Sequence, residues 1–287
     1  MATLREIKTR IRSVKSTQKI TKAMEMIAAS KMKRAQNQAL KGRPYMQKLI
    51  EVIGNLLTLS GAPLRHPFLK KRKHIKNIGY IFVTSNRGLC GGFNSNIIRK
   101  MLEILREKNK TKEIVITVGK KGRQAMERIG KAVLADFENL SDNPGYLDLL
   151  GISKVIIDDY MNDKLDEVYI VYNHFYSIIS QKPIVKKLLP VATEPVGSNM
   201  FKTQLKRDYI FEQDKTILLD ELLRRYVETM VYQTVLESVA SEHSARMVAM
   251  RQASDNAQEI VSNLTLHYNK ARQTKITTQL LEVVAGT

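Results

Sequence analysis

At 287 residues with 43% hydrophobic content the chain can bury a core of one or two domains, and its formal net charge of +19 calls for an acidic protein surface, nucleic acid or an anionic membrane as counterpart. A lone cysteine, Cys90, excludes a disulfide framework and fits a reducing compartment. There is no signal peptide and no apolar run near the ~20 residues that span a bilayer, so the sequence reads as soluble, or held at a membrane only through other proteins.

Residues 1–59 read as a helix. Leu4, Ile7, Ile11 and Val14 recur at 3-4-3 spacing, and Ile20, Met24 and Ile27 continue on much the same face as a seam for a partner helix. Gly42 and Pro44 should bend or break it, because proline lacks an amide and its ring clashes with the preceding turn. The helical pattern resumes through Ile50, Val52, Ile53, Leu56 and Leu57. Thirteen basic residues between Met1 and Lys48 stand against only Glu6 and Glu25, which gathers the excess charge on this helix.

Residues 60–75, with Gly61, Pro63, Pro67 and the basic run 70–73, form a linker. Over 76–190 strands alternate with helices. Strands are expected at 77–85, 114–118, 132–137 and 168–172, helices at 94–108, 122–129 and 147–161, and an antiparallel edge segment within 175–189. This order predicts an α/β domain, a mainly parallel sheet with right-handed crossovers and helices on both faces. A second linker, 191–207, carries Pro195 and Gly197.

From 208 to 287 there is no proline, and no glycine until Gly286, which predicts one unbroken helix on the order of 110 to 120 Å long. Met250, Ala257, Val261, Leu264, Tyr268 and Ala271 follow a 4-3 pattern, with Ser254 at the remaining step. Small residues in its middle, among them Ser238, Ala240, Ser241, Ser244 and Ala245, would let a second backbone approach closely. Matching seams at the two ends of one chain are most simply paired antiparallel. The expected fold class is therefore α/β plus a long antiparallel coiled coil formed by the N- and C-terminal helices.

The glycine-bearing loop after the first expected strand, 86–93, invites a nucleotide-binding reading. It lacks the lysine and hydroxyl of a phosphate-binding Walker loop, and Gly88, Gly91 and Gly92 do not give the dinucleotide spacing, so a tight strand-to-helix turn accounts for it better. Cys90 beside Arg87 has no histidine near it in sequence. The five histidines show no metal spacing, and adjacent Asp158 and Asp159 diverge on a helix. No catalytic residue, metal site or cofactor is expected. The basic helix could track phosphates, but before Gly42 it has no aromatic residue to stack on bases.

Several stretches resemble the gamma subunit of F-type ATP synthases, in its bacterial form. They are Ile20-Thr21-Lys22-Ala23-Met24-Glu25-Met26, the loop from Arg87 to Gly92, Leu223-Arg224-Arg225-Tyr226-Val227-Glu228, Ser241-Glu242-His243-Ser244-Ala245-Arg246-Met247, and Tyr268-Asn269-Lys270-Ala271-Arg272-Gln273. The resemblance runs from the first turn to the last residues. It departs at Gln279, where the family usually has glutamate, and past Gly286, where it usually has further small residues. It implies a non-catalytic rotor, the central stalk, that regulates ATPase activity and proton flow. Its implied partners are the alpha3beta3 hexamer, the epsilon subunit and the membrane c ring, at the cytoplasmic face of a bacterial cell membrane. It further implies that Arg272, Gln273 and Thr277 meet a beta-subunit loop at the shaft tip, with Gln279 in the place of a glutamate partner. Met24 and Arg246 would face the acidic levers of the beta subunits, and Tyr209 and Glu212 would lie near the c ring. The alternative is a basic coiled-coil protein that binds nucleic acid with steep salt dependence.

Overall fold

The computed structural model describes residues 3–59, 66–70, 72, 74–107, 111–138, 140–191 and 214–286. In chain order they form α1 (Leu4–Leu59), a 3-10 turn (Pro67–Leu69), β1 (Asn77–Val83), α2 (Phe93–Glu107), β2 (Lys112–Val118), α3 (Lys120–Arg128), β3 (Val133–Phe137), α4 (Tyr146–Met161), β4 (Glu167–Phe175), β5 (Gln181–Leu189) and α5 (Lys215–Ala285). Contacts divide the chain into a sheet unit, Lys31–Ala245, and a helical unit made of Met1–Ser30 with Arg246–Thr287. α1 ends at Leu59, the expected boundary at 208 lies outside the described residues, and the contact boundary falls inside α1 and α5.

The sheet has the order β3-β2-β1-β4-β5, with β1 to β4 mutually parallel and β5 antiparallel on the edge. β1 is buried along almost its whole length because both of its faces are covered. Ile78, Tyr80 and Phe82 pack with Ile97 and Met101 of α2 and Met126 of α3. The other face, Ile81 and Val83, shares a core with Ile152, Ile156 and Tyr160 of α4. Met46, Leu49, Ile53 and Leu56 of α1 and Leu219, Leu223, Val227 and Val231 of α5 belong to that same core. The second half of α1 and the first half of α5 are thus a layer of the α/β unit.

The partner face of α1 keeps a strict 3-4 spacing from Leu4 to Leu56, every position on it at least half-buried. Its fifth to eighth members are Gln18, Thr21, Glu25 and Ala28. Ile20 and Ile27, expected in the seam, are instead 58% and 55% exposed. Continuing the 3-4 repeat from Val14 requires residues 18, 21, 25 and 28, and apolar character alone chose the wrong stripe. α1 also continues through Gly42 and Pro44 without a break. Pro44 stands on the exposed face, and on the opposite side the Gln233 side-chain amide donates 3.4 Å to the Ala39 carbonyl beside Gly42.

Two devices close the sheet unit. At Gly119, φ is +98° and a Cβ would lie 2.4 Å from the Thr84 carbonyl oxygen, so only glycine lets β2 turn into α3 against the end of β1. Before β4, Asp166 accepts hydrogen bonds from the amides of Lys76 and Asn77, each at 2.8 Å, and from Arg72 Nη1 at 3.0 Å. Burial pushes the Asp166 carboxyl up, but the two amides and the guanidinium outweigh it and hold it below the usual carboxylate range.

Gly119→Ala should destabilise the sheet unit by about 3 kcal/mol, and Gly130→Ala, at φ +69° with open space around it, by only about 1 kcal/mol; thermal denaturation of the two variants checks the contrast. Because the folded Asp166 is depressed, its contribution is fully present above the unfolded carboxylate pKa of about 4 and is lost as pH falls through the lower folded value. Asp166→Ala should therefore be less stable at neutral pH and lose less of its remaining stability on acidification, as read from thermal midpoints on both sides of about pH 4.

Candidate functional site on the paired helices

Within the helical unit the pairing of α1 and α5 is direct. Gln18 Nε2 donates 2.7 Å to Gln258 Oε1, and Arg251 Nε lies 3.6 Å from Glu25 Oε1, which also holds Lys22 Nζ through its other oxygen at 2.9 Å. Seven residues forward on α1 are seven residues back on α5, so the pair is antiparallel. The α5 seam takes Met250, Ser254, Ala257, Val261, Leu264, Tyr268 and Ala271, as the 4-3 pattern predicts. Glu25 brings a charge into the seam: its side chain is only 12% exposed, while those of Lys22 and Arg251 are more than half exposed.

The register sets residue 4 of α1 opposite residue 272 of α5. From Arg272 to Gly286 every residue is exposed. Arg272, Gln273, Thr277 and Gln279 all lie on this unpaired end, where Thr277 Oγ1 donates 3.0 Å to the Gln273 carbonyl. Ile276, Leu280 and Leu281 are large apolar side chains in the open on the same turns. Met24 and Arg246 are both half-buried. By the register Arg246 falls opposite residue 30, so the two are about six residues, or roughly 9 Å, apart along the pair. Met24 has exposed Ile20 and Ile27 beside it, an apolar stripe outside the seam. Arg5, Lys8, Arg10, Arg12, Lys15 and Lys19 are exposed and form no ion pair among the described residues. Tyr209 and Glu212 lie outside the described residues.

The loop after β1 is filled by the chain's own polar groups. The amides that open α3 are already taken: Lys120 donates to Asn86 Oδ1 at 3.0 Å, Lys121 to the Ser85 carbonyl at 3.1 Å and Gly122 to Thr84 Oγ1 at 2.8 Å. At the start of α2, Asn94 Oδ1 accepts from the Ser85 amide at 3.2 Å while its Nδ2 donates to Ser85 Oγ at 2.7 Å and contacts Cys90 Sγ at 3.2 Å. Ser85 Oγ in turn donates 2.6 Å to the Arg87 carbonyl. Cys90 is buried inside this turn. No cluster of three metal-ligating side chains occurs among the described residues.

Sequence reasoning missed this network because it weighed the glycines and the cysteine of the loop and not the polar residues flanking them. The available signal was four short polar residues, Thr84, Ser85, Asn86 and Asn94, framing a strand-to-helix turn.

A family model described as ATP synthase matches residues 3–287. Over its whole length the chain is 48% identical to the ATP synthase gamma chain of Dehalococcoides mccartyi, of which it covers 98%. The chain belongs to the ATP synthase gamma-chain family. It is also 44% identical over its whole length to the gamma chain of Nitrosomonas eutropha, covering 99% of it. Among solved structures, a chain from the central stalk and c-ring of Tetrahymena thermophila mitochondrial ATP synthase is 28% identical with a TM-score of 0.62, the match covering 82% of this chain and 99% of that one. A chain from Euglena gracilis mitochondrial ATP synthase, 21% identical with a TM-score of 0.64 over 98% of this chain and 92% of that one, shares the fold.

In this gamma-chain seam Glu25 is a nearly buried carboxylate with two exposed cationic partners, and replacing a buried ion pair by a well-packed apolar side chain is often neutral or stabilising. Glu25→Leu should raise stability by about 1 kcal/mol, seen as a higher thermal midpoint. A lower midpoint would mean that the ion pairs hold the seam together.

Proposed function

We propose that the chain is the central-stalk rotor of an F-type ATP synthase, a subunit that performs no chemistry itself and carries torque between a membrane ring of c subunits and the three catalytic beta subunits of an alpha3beta3 ring. The observation that carries this reading is the run of exposed residues from Arg272 to Gly286, where α5 has passed the end of α1, in a chain that matches gamma chains along its whole length. That end would sit inside the ring, with Arg272, Gln273 and Thr277 against a beta-subunit loop and Gln279 beside it. Met24 and Arg246 would meet the acidic levers of the beta subunits, and the unpaired cations of α1 would supply the complementary field. The sheet unit, with Tyr209 and Glu212, would face the epsilon subunit and the c ring.

A shaft whose sides differ presents a different surface to each of three otherwise equal subunits. It can favour one conformation in each only through such differential contacts. Attachment to a bacterial membrane would be peripheral, at the cytoplasmic face and through partners; no described helix is long and apolar enough to cross a bilayer. The matched relatives are ATP synthase chains, which gives the nucleic-acid reading of the basic helix no support.

The chain should co-purify with alpha and beta subunits in a three-fold complex. Arg272→Leu with Gln273→Leu should lower ATP hydrolysis by that complex by roughly tenfold, the scale of one or two lost charge-assisted hydrogen bonds, with an unchanged circular dichroism spectrum. Wild-type turnover in the double variant would remove the assignment of these two residues, and failure to assemble with alpha and beta would remove the rotor reading.

A further inference from the structure

Side-chain hydroxyls on a helix commonly bond back to carbonyls of their own helix. On α5, Thr234, Ser262, Thr265, Thr274, Thr277 and Thr278 all do so. Ser241 and Ser244 reach out instead. Ser241 Oγ donates 2.9 Å to the carbonyl of Asn173 in β4, and Ser244 Oγ donates 2.8 Å to the carbonyl of Ile178 in the turn between β4 and β5. Gln181 Nε2 at the start of β5 donates 3.3 Å to Ser244 Oγ. One turn earlier, Glu237 Oε2 lies 2.8 Å from His174 Nδ1. Residues 237, 241 and 244 have the i, i+4, i+7 spacing of a single helix face, and the partners just named lie on one hairpin, residues 173–181. Both serines are fully buried.

The second backbone expected against the small residues of this stretch is, at Ser241 and Ser244, that of the hairpin. Ser241 and Ser244 are small because a hairpin backbone lies against them. Apolar packing opposes lifting α5 off the sheet unit, but it is non-directional, and small neighbours such as Ala240 and Ala245 give little relief to stop the helix rolling about its own axis. Hydrogen bonds are directional and weaken steeply once misaligned, and a roll would also take two buried hydroxyls away from their carbonyl acceptors.

We propose that Glu237, Ser241 and Ser244 are positioning residues that lock α5 to the β4–β5 hairpin, so that torque applied to the sheet unit turns α5 with it. This rests on the rotor reading and deepens it by assigning where the sheet grips the helix.

The test uses the complete ATP synthase assembled with this chain in sealed vesicles, measuring ATP hydrolysis and ATP-driven proton uptake on the same preparation. Ser241→Ala with Ser244→Ala should keep hydrolysis within about twofold of wild type while protons moved per ATP fall at least about threefold, because two directional bonds that oppose rolling are gone. Adding Glu237→Gln should lower the ratio further, and restoring Ser241 alone should recover part of it. If the double variant does not assemble, Ser244→Ala alone carries the same comparison. Hydrolysis and uptake falling in parallel, or a ratio equal to wild type, overturns the lock. A wild-type complex that hydrolyses ATP without moving protons overturns the rotor reading instead, so the two failures are told apart.

Discussion

Burial on α1 recurs every three and four residues from Leu4 to Leu56, and the rest of the molecule is arranged around that stripe. Its chemistry changes along the helix. Leu4, Ile7, Ile11 and Val14 are large and apolar; Gln18, Thr21 and Glu25 are polar; Ala35, Ala39 and Gly42 are small; Met46, Leu49, Ile53 and Leu56 are large again. In the helical unit the large and polar members meet α5 alone, and Gln18 and Glu25 add pairings with Gln258 and Arg251 that fix which residues face each other. In the sheet unit the large members join the core beneath Ile81 and Val83. A single 3.5-residue period thus serves a two-helix seam and a layer of an α/β domain, with side-chain size deciding which.

The sheet shows how far a fold can lie from the chemistry it often hosts. A parallel sheet with the order 3-2-1-4 has loops at its carboxyl ends where other proteins of that architecture hold nucleotides, and what makes such a place a binding site is free backbone amides. Here Thr84, Ser85 and Asn86 occupy the amides of Lys120, Lys121 and Gly122, while Ser85 and Asn94 close the loop on Cys90. The neighbouring hairpin is occupied by α5 through Ser241 and Ser244. These amides and this hairpin are taken by the chain's own groups, a property of particular side chains and not of the topology.

Element type and order were legible because they are written in period and punctuation. Alternating strands and helices, the absence of breakers after Gly197 and the 4-3 spacing from Met250 to Ala271 are local signals, and the fold follows them closely. What failed was whatever depends on the partner. Ile20 and Ile27 look like seam residues until the polar Gln18 and Glu25 are seen to have partners on α5, with Thr21 buried between them. Ser241 and Ser244 look like generic small residues until the β4 carbonyl and the turn after it are found against them. Gly42 and Pro44 look like a break until Pro44 proves to be on the exposed face. On the candidate surface, the exposure of Arg272, Gln273, Thr277 and Gln279 follows from the register, which sets residue 272 opposite Leu4 at the start of α1, and no local pattern in the sequence states it.

Magnitudes decide how such a helix can be held under load. One proton crossing 100 mV releases roughly 2.3 kcal/mol, and a net hydrogen bond is worth roughly 1 kcal/mol, so no single contact withstands the work of several protons. Burial of Leu219, Leu223, Val227 and Val231 supplies on the order of 1.5 to 3 kcal/mol for each side chain, enough to keep α5 in the sheet unit. That packing is non-directional, whereas contacts that are directional and displaced from the helix axis add a specific resistance to rolling. Glu237, Ser241 and Ser244 satisfy both conditions because they reach outward from one face of α5 to one hairpin, whereas the back-bonded threonines of the same helix turn with it and oppose nothing.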